Sequence, residues 1–240
     1  MKKTFLFIGL IVLFINNSFS QNASFEVIYK KGEKKENDLS TNPPKIYYEY
    51  DYILKVIGQE SIFYFDKSLA VEEGNRRIIT KGGGRGNIYK NLKTKEKLHQ
   101  NKNRGELLII SQPMKSWEWE ITNEKKVISG YTAFKAIGTK MAAVFDSKKP
   151  QEGLKREKVK MIVWFTPEIP GSFGPAGYDE LPGLVLESQS GDIYFIATKI
   201  KFYKKTPKFK INKPTKGRKV SREEFDKESE QFFTELLKKM

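Results

Sequence analysis

Four carboxylates gather about one proline- and glycine-rich segment: Glu168, Asp179, Glu180 and Glu187 flank or lie within Pro170 to Leu186. Two carboxylates at a suitable separation run glycoside hydrolysis, one as acid and the other as base or nucleophile. Trp164 and Tyr178 would then be platforms for sugar rings, and Glu168 with Asp179 or Glu187 the working pair. The plainer reading is that these acids decorate strand ends on a polar face. Spacing along the chain leaves their separation in space open.

The other ingredients of catalysis are sparse. His99 is the single histidine, in Lys97-Leu98-His99-Gln100-Asn101-Lys102, with no acid closer than three residues. A Ser-His-Asp site would need it as base; the basic surroundings read instead as a solvated loop. One histidine and no cysteine argue against zinc or copper held by nitrogen and sulfur. Only an oxygen-ligated cation stays open, and no run of acids has calcium-loop spacing. No metal and no cofactor are expected. Lys81-Gly82-Gly83-Gly84-Arg85-Gly86 has the glycines of a phosphate cradle, but such loops work by opening a helix. Asn87-Ile88-Tyr89 follows as a strand, so a hairpin tip is expected.

The other chemistry is adsorption. Trp117, Trp119, Phe134, Trp164 and Tyr178 are candidates to line an apolar concavity, since large aromatic surfaces with a few polar handles suit such sites. The whole chain carries 44 Lys+Arg against 29 Asp+Glu, a net charge of +15. A basic rim of that kind attracts anionic amphiphiles over about 8 Å at physiological salt. Lysine dominates and is scattered, which also fits simple solubility; bidentate phosphate recognition would favour arginine.

These side chains need elements to hold them, and the patterns are those of strands. Ala23–Tyr29, Ile46–Val56, Ser61–Phe65, Asn87–Asn91, Glu106–Ser111, Lys158–Thr166, Leu184–Glu187 and Asp192–Ile200 are dense in aromatic and β-branched residues. Gly58-Gln59 and Ser190-Gly191 are turns. Lys30 to Pro44 and Lys148 to Arg156 read as loops. Trp117-Glu118-Trp119-Glu120-Ile121 alternates strictly, with both tryptophans and Ile121 on one face. Val127 to Ala136 continues the β pattern.

The period changes at Ser221-Arg222-Glu223-Glu224, a capping box. Phe225, Phe232, Phe233, Leu236 and Leu237 then fall at helical spacing. The expected organisation is a signal peptide (1–20), an antiparallel β domain (21–203), a basic connector (204–220) and a helix packing on the same domain (221–240).

The signal peptide is read from Lys2 and Lys3, the apolar run Phe5 to Ile15, and Ser18-Phe19-Ser20 ahead of a cleavage before Gln21. The run is shorter than the roughly 20 residues that span a bilayer. Export without disulfides points to a bacterial envelope: periplasm, outer envelope or secretion. Losing Lys2 and Lys3 would leave a net charge of +13.

Trp164-Phe165-Thr166-Pro167-Glu168-Ile169-Pro170, Gly174-Pro175 and Leu181-Pro182-Gly183-Leu184-Val185-Leu186 resemble the diagnostic stretch of the GLPGLI family, exported proteins of Bacteroidetes-type bacteria. Leu54-Lys55-Val56 through Ser61-Ile62-Phe63 is similar to that family's early strand pair. Trp119-Glu120-Ile121, Lys126 to Tyr131 and Lys135-Ala136 are similar to its central pattern. The resemblance runs over roughly residues 45 to 200. Glu180 stands where the motif has its first glycine, Val185 where it has isoleucine, and Thr132 where members often carry cysteine. The resemblance implies an exported, largely β protein and brings no catalytic residues.

The expected fold is mainly β: one curved antiparallel sheet or open half-barrel with a C-terminal helix, lipoprotein-carrier-like by analogy. The leading function is a non-enzymatic binding or carrier protein for an amphiphilic or anionic envelope ligand. The alternatives are a structural component of an envelope complex, with an outer-membrane protein as partner, and a carbohydrate-active hydrolase. No nucleic acid and no membrane span after signal removal are expected.

Overall fold

The computed structural model describes residues 23–34, 46–66, 86–145, 149 and 152–238. The expected signal peptide (1–20) and all but Gly86 of the glycine cluster lie outside the described residues.

The chain builds one open, curved sheet. Its first half is β1 (Ser24–Lys34), β2 (Ile46–Ile57), β3 (Glu60–Phe65), β4 (Asn87–Asn91), β5 (Glu96–Asn103) and β6 (Glu106–Ser111). Its second half is β7 (Glu118–Ile128), β8 (Tyr131–Phe145), β9 (Leu154–Thr166), the short β10 (Ser172–Phe173), β11 (Gly183–Ser190) and β12 (Ile193–Tyr203). β13 (Arg218–Ser221) and helix α1 (Arg222–Leu237) end the fold. In space the order is β13-β6-β5-β4-β3-β2-β1-β12-β11-β9-β8-β7. Neighbours are antiparallel except β13 on β6 and β10 on β11, which are parallel.

Alternation explains the core. Phe25, Val27 and Tyr29 of β1 are buried with Tyr52 and Leu54 of β2, Phe63 of β3, Leu186 of β11 and Phe195 of β12. Tyr52 and Phe63 stack at 5.3 Å between centroids, and Phe195 meets both edge-on, geometries worth about 0.5–1.5 kcal/mol per pair beyond area. Tyr29 donates to the Val185 carbonyl at 2.5 Å, so its buried hydroxyl is satisfied. Ile169 and Phe173, from the segment between β9 and β11, cap this inner face.

Several expectations change on contact with the fold. The stretch from Lys30 continues as strand to Lys34, because β1 is paired on both sides, to β2 and β12. Ladder bonds on both edges outweigh its charged composition. His99 is a half-buried residue of β5, opposite Ile88 and Ile110, and not a loop residue. Trp117 precedes β7, which begins at Glu118. The alternation it starts breaks at a bulge: Ile121 faces Ala136 but Lys125 faces Phe134, four residues against two. β7 is also an edge strand, so Ile121 is 51 % and Val127 73 % exposed. Ser129 and Gly130 close the β7–β8 hairpin with φ of 50° and 84°, the paired positive values of a two-residue turn.

The basic connector ends in β13, which lies parallel on β6. Ser221 caps α1 by accepting from the Glu224 amide at 3.0 Å; the Glu224 carboxylate turns to Arg218 at 3.6 Å. Phe225 packs on Leu108, Ile110 and Val220. Phe233 meets Phe145 of β8 edge-on at 4.7 Å, and Glu230 pairs with Arg156 of β9 at 3.6 Å. Since β6 and β8–β9 lie toward opposite ends of the sheet, α1 bridges its mouth. Phe225 and Phe233 are its apolar anchors, and Phe232 and Leu236 stay exposed against expectation.

Candidate functional site

The segment 167–183 crosses from β9 to β11 and is fixed from below by charge. Lys90 of β4 and Lys97 of β5 are direct cross-strand partners, and both ammonium groups reach Asp179, at 3.0 and 2.8 Å from one carboxylate oxygen. Lys90 donates further to the Ser172 and Asp179 carbonyls at 2.7 and 2.8 Å, and Lys97 to the Gly177 carbonyl at 2.8 Å. The Ser172 hydroxyl donates to the Asp179 carbonyl as well. Lys90, Lys97 and Asp179 are 2 %, 6 % and 4 % exposed, so two cations and one anion are held out of water. Burial lowers the Lys90 pKa from its ordinary value, against the attraction of Asp179. This cluster is a latch on the segment; no substrate reaches the amines without lifting Ser172–Asp179.

Backbone proximity tightens the same segment. A Cβ on Gly183 would sit 2.2 Å from the Thr166 carbonyl oxygen, and one on Gly174 2.0 Å from that of Tyr178. Both positions need glycine for close approach. Leu181 and Leu184 are buried, whereas Pro167, Pro170 and Pro182 are exposed and Pro175 is buried at the start of a short 3-10 turn.

Glu180, at the motif's first glycine position, has its own work. Its carboxylate accepts from the Ser116 and Trp117 amides at 2.7 and 3.0 Å and from the Trp119 indole at 3.2 Å. It thereby ties the segment to the approach to β7. Trp117 lies 6.0 Å from Trp119 and 6.3 Å from Tyr178, centroid to centroid. These three and Phe134 pack against Met161, Val163, Phe165, Leu181 and Val185. Burial raises the Tyr178 pKa. Trp164 lies apart, on the main core, with Lys126 4.3 Å above its ring and also 2.7 Å from Glu187. All five candidate aromatics are thus half-buried against core, in two places.

The carboxylates are taken up separately. Asp179 belongs to the lysine latch, Glu187 to Lys126, and Glu168 accepts from the Thr132 amide at 2.9 Å. Among the described residues no group of three His, Cys, Asp or Glu is placed to hold a metal.

A groove of about 530 Å³ lies beside the tryptophans, between α1 and the β8–β9 hairpin. Met141, Leu154 and Phe233 give it an apolar floor, and Lys140, Arg156 and Arg222 stand at its sides. Met141 is 59 % exposed. Arg156 is paired with Glu230, and Arg222 with Asp226 at 2.9 Å. Lys140 makes no ion pair among the described residues; its ammonium lies 4.4 Å over the Trp117 ring. Burial and then the charge of Arg222 lower its pKa. Gln112, also on the wall, accepts from Arg222 at 3.4 Å.

Sequence reasoning passed over the groove and both latch lysines. Lys90 was detectable in one respect: it shares the strand face of Ile88. Lys140 carries no such signal, since the helix that shelters it begins 82 residues later.

The family model described as "Protein of unknown function (Porph_ging)" matches residues 119–187, from β7 into β11. No curated protein matches the chain. Two solved structures of PNGF-II are similar in fold. One has a TM-score of 0.52 at 18 % identity over 85 % of this chain, the other 0.53 at 16 % over 90 %. This chain spans only 32 % of the length of either. A further similar structure is LprF from Mycobacterium bovis, at 14 % identity with a TM-score of 0.29, over 81 % of this chain and 90 % of that one. No helix among the described residues is long and apolar enough to cross a membrane.

Proposed function

We propose that this chain is an exported GLPGLI-type envelope protein that binds, without catalysis, an amphiphile with an anionic head, in the groove beneath α1. The observation that carries the reading is Lys140. It is a partly sheltered cation with no ion-pair partner among the described residues, set at the end of an apolar floor. A tail on Met141, Leu154 and Phe233 would bury apolar area at about 25 cal/mol per Å². A phosphate or carboxylate at Lys140 would supply the missing charge, with Trp117 behind it. The hydrolase alternative has less support, because Glu168, Asp179 and Glu187 answer to different partners and none of them lines this groove.

The test uses the chain from Gln21 and two probes with the same tail, dodecyl phosphate and dodecyl maltoside, below their micelle concentrations. Trp117 fluorescence and calorimetry should report saturable binding of the phosphate about tenfold tighter than the maltoside, equivalent to about 1.4 kcal/mol. Lys140→Gln should remove that preference, and Phe233→Ser should weaken both probes. Equal affinity for the two heads, or no saturable binding of either, overturns the proposal.

A further inference from the structure

Residues 204–219 hold eight cations, no acid and almost no regular structure. Such a run is usually read as a solvated linker. Here it is a strap fastened across the outer face of the sheet. Pro207 and Pro214 are buried. Phe209 packs edge-on against Tyr203 of β12 at 5.4 Å and lies 5.0 Å below the Lys55 ammonium of β2. Ile211 packs on Tyr89, Leu98 and Ile109 of β4, β5 and β6. Gln100 donates to the Lys216 carbonyl at 2.8 Å. The apolar residues of the strap therefore point in, and its lysines point out.

Most of that charge is unspent. Lys213 is paired with Glu96 at 2.7 Å, and Arg218 with Glu106 and Glu228. Lys204, Lys205, Lys208, Lys210, Lys216 and Lys219 are exposed and make no ion pair among the described residues. The strap also bounds two clefts. One, of about 590 Å³, lies among Lys204, Lys205, Lys93, Gln59 and Asn91. The other, of about 350 Å³, lies among Lys210, Lys216, Lys55, Tyr64 and Asn212. Glu60 lines the first cleft, but its carboxylate accepts from Tyr89 and Asn91 at 2.8 Å each. Lys205 and Lys210 are five residues apart, at most about 17 Å of extended chain.

We infer that the strap is a second binding site, distinct from the groove under α1, and that its ligand is a linear acidic polysaccharide. The backbone that carries these cations is anchored through Phe209, Ile211 and the Lys216 carbonyl, so a polyanion orders lysine side chains on binding but not the chain between them. The clefts are concave and rich in amide, hydroxyl and ammonium groups, which match sugar hydroxyls and ring-borne anionic groups. A membrane surface would call for apolar residues projecting beside the lysines, and Phe209 and Ile211 project the other way. A nucleic acid strand would call for exposed aromatic platforms and arginine.

Two variants with equal loss of charge test this. One replaces Lys204, Lys205, Lys208, Lys210, Lys216 and Lys219 by Gln; the other replaces Lys102, Lys115, Lys158, Lys160, Lys199 and Lys227, which are exposed elsewhere. The probes are dextran sulfate oligosaccharides, neutral dextran, phosphatidylglycerol vesicles and a single-stranded oligodeoxynucleotide. The wild type should bind dextran sulfate but not dextran. The strap variant should lose about tenfold or more in affinity and the control variant less than about threefold, with both unfolding at the wild-type urea midpoint. An equal loss in the two variants reduces the effect to net charge and overturns the site. Tighter binding of vesicles or oligonucleotide than of dextran sulfate overturns the ligand class. Because Lys140→Gln leaves the strap intact, this result and the detergent result are independent.

Discussion

Replacing Asp179 by Asn is the sharpest test of the latch, because it keeps the side-chain shape and removes one charge. Two ammonium groups at 3.0 and 2.8 Å would then face a neutral amide while remaining buried. At an effective dielectric constant of about 20, each contact is worth about 6 kcal/mol of bare Coulomb energy. Hydration of the same lysines in the unfolded chain offsets much of this, and breaking one partner out of a buried ion pair costs about 3–5 kcal/mol in practice. For a chain of this size that lowers Tm by roughly 6–20 °C at about 2–4 °C per kcal/mol. Lys90→Met is the informative comparison. It removes the surplus cation and leaves Lys97 and Asp179 as a one-to-one pair, at the cost of the bonds to the Ser172 and Asp179 carbonyls; the Asp179 carbonyl keeps the Ser172 hydroxyl, so the loss is about 1–3 kcal/mol. Asp179→Asn should therefore be the more damaging change, and adding Lys90→Met to it should restore part of the loss. Urea unfolding followed by tryptophan fluorescence, with the m-value checked for constancy, gives all three numbers. If Asp179→Asn costs less than about 1 kcal/mol, or less than Lys90→Met, the cluster is hydrated and the charge argument fails.

The same lysine sets a pH signature. Burial lowers the Lys90 pKa from 10.5, so between the lowered folded value and about 10.5 the unfolded chain binds more protons and stability rises with pH. The difference in urea midpoint between wild type and Lys90→Met should grow in favour of the wild type from pH 7 to 10; a flat difference refutes it. Glu180→Ala should free the Ser116 and Trp117 amides and the Trp119 indole, cost about 1–3 kcal/mol and red-shift tryptophan emission. An unshifted spectrum would mean that Glu180 does not hold the tryptophans. Gly183→Ala would put a methyl 2.2 Å from the Thr166 carbonyl and should destabilise by about 2 kcal/mol or more, read as a lower Tm; unchanged stability would mean that the crossing of 167–183 over β9 is looser than described.

Most strands were legible because their apolar residues alternate and their turns carry glycine. Phe25, Val27 and Tyr29 announce β1 in this way, and Gly58-Gln59 announces the β2–β3 turn, whereas Ser129-Gly130 was passed over inside a run read as continuous strand. β5 was not, because Glu-Lys-Leu-His-Gln-Asn-Lys-Asn has one strong apolar residue; its conformation comes from ladders on both sides. The latch was half legible. Asp179 stands inside a recognisable motif, but Lys97 and Lys90 lie 82 and 89 residues away, and no local rule links them. The groove was least legible. Its lining comes from a hairpin and from a helix far along the chain, and helical periodicity showed which residues of α1 are apolar without showing that Phe225 and Phe233 would anchor while Phe232 stayed outside.

The place of β1 in the sheet has a consequence for how the chain folds. One side of β1 pairs with β2, which follows soon after, but the other side pairs with β12, Ser24 lying opposite Tyr203. A chain that emerges N-terminus first therefore holds an eleven-residue strand, with Phe25, Val27 and Tyr29 on one face, half-paired until Ile193–Tyr203 arrives. Pairings of such long sequence separation fold slowly, and an open edge of this length recruits other chains. Closure of the sheet on that side of β1 is thus held back until β12 is present. A fragment that stops short of β12 would keep the edge and aggregate, so the β1–β12 seam works as a completeness check on the protein itself.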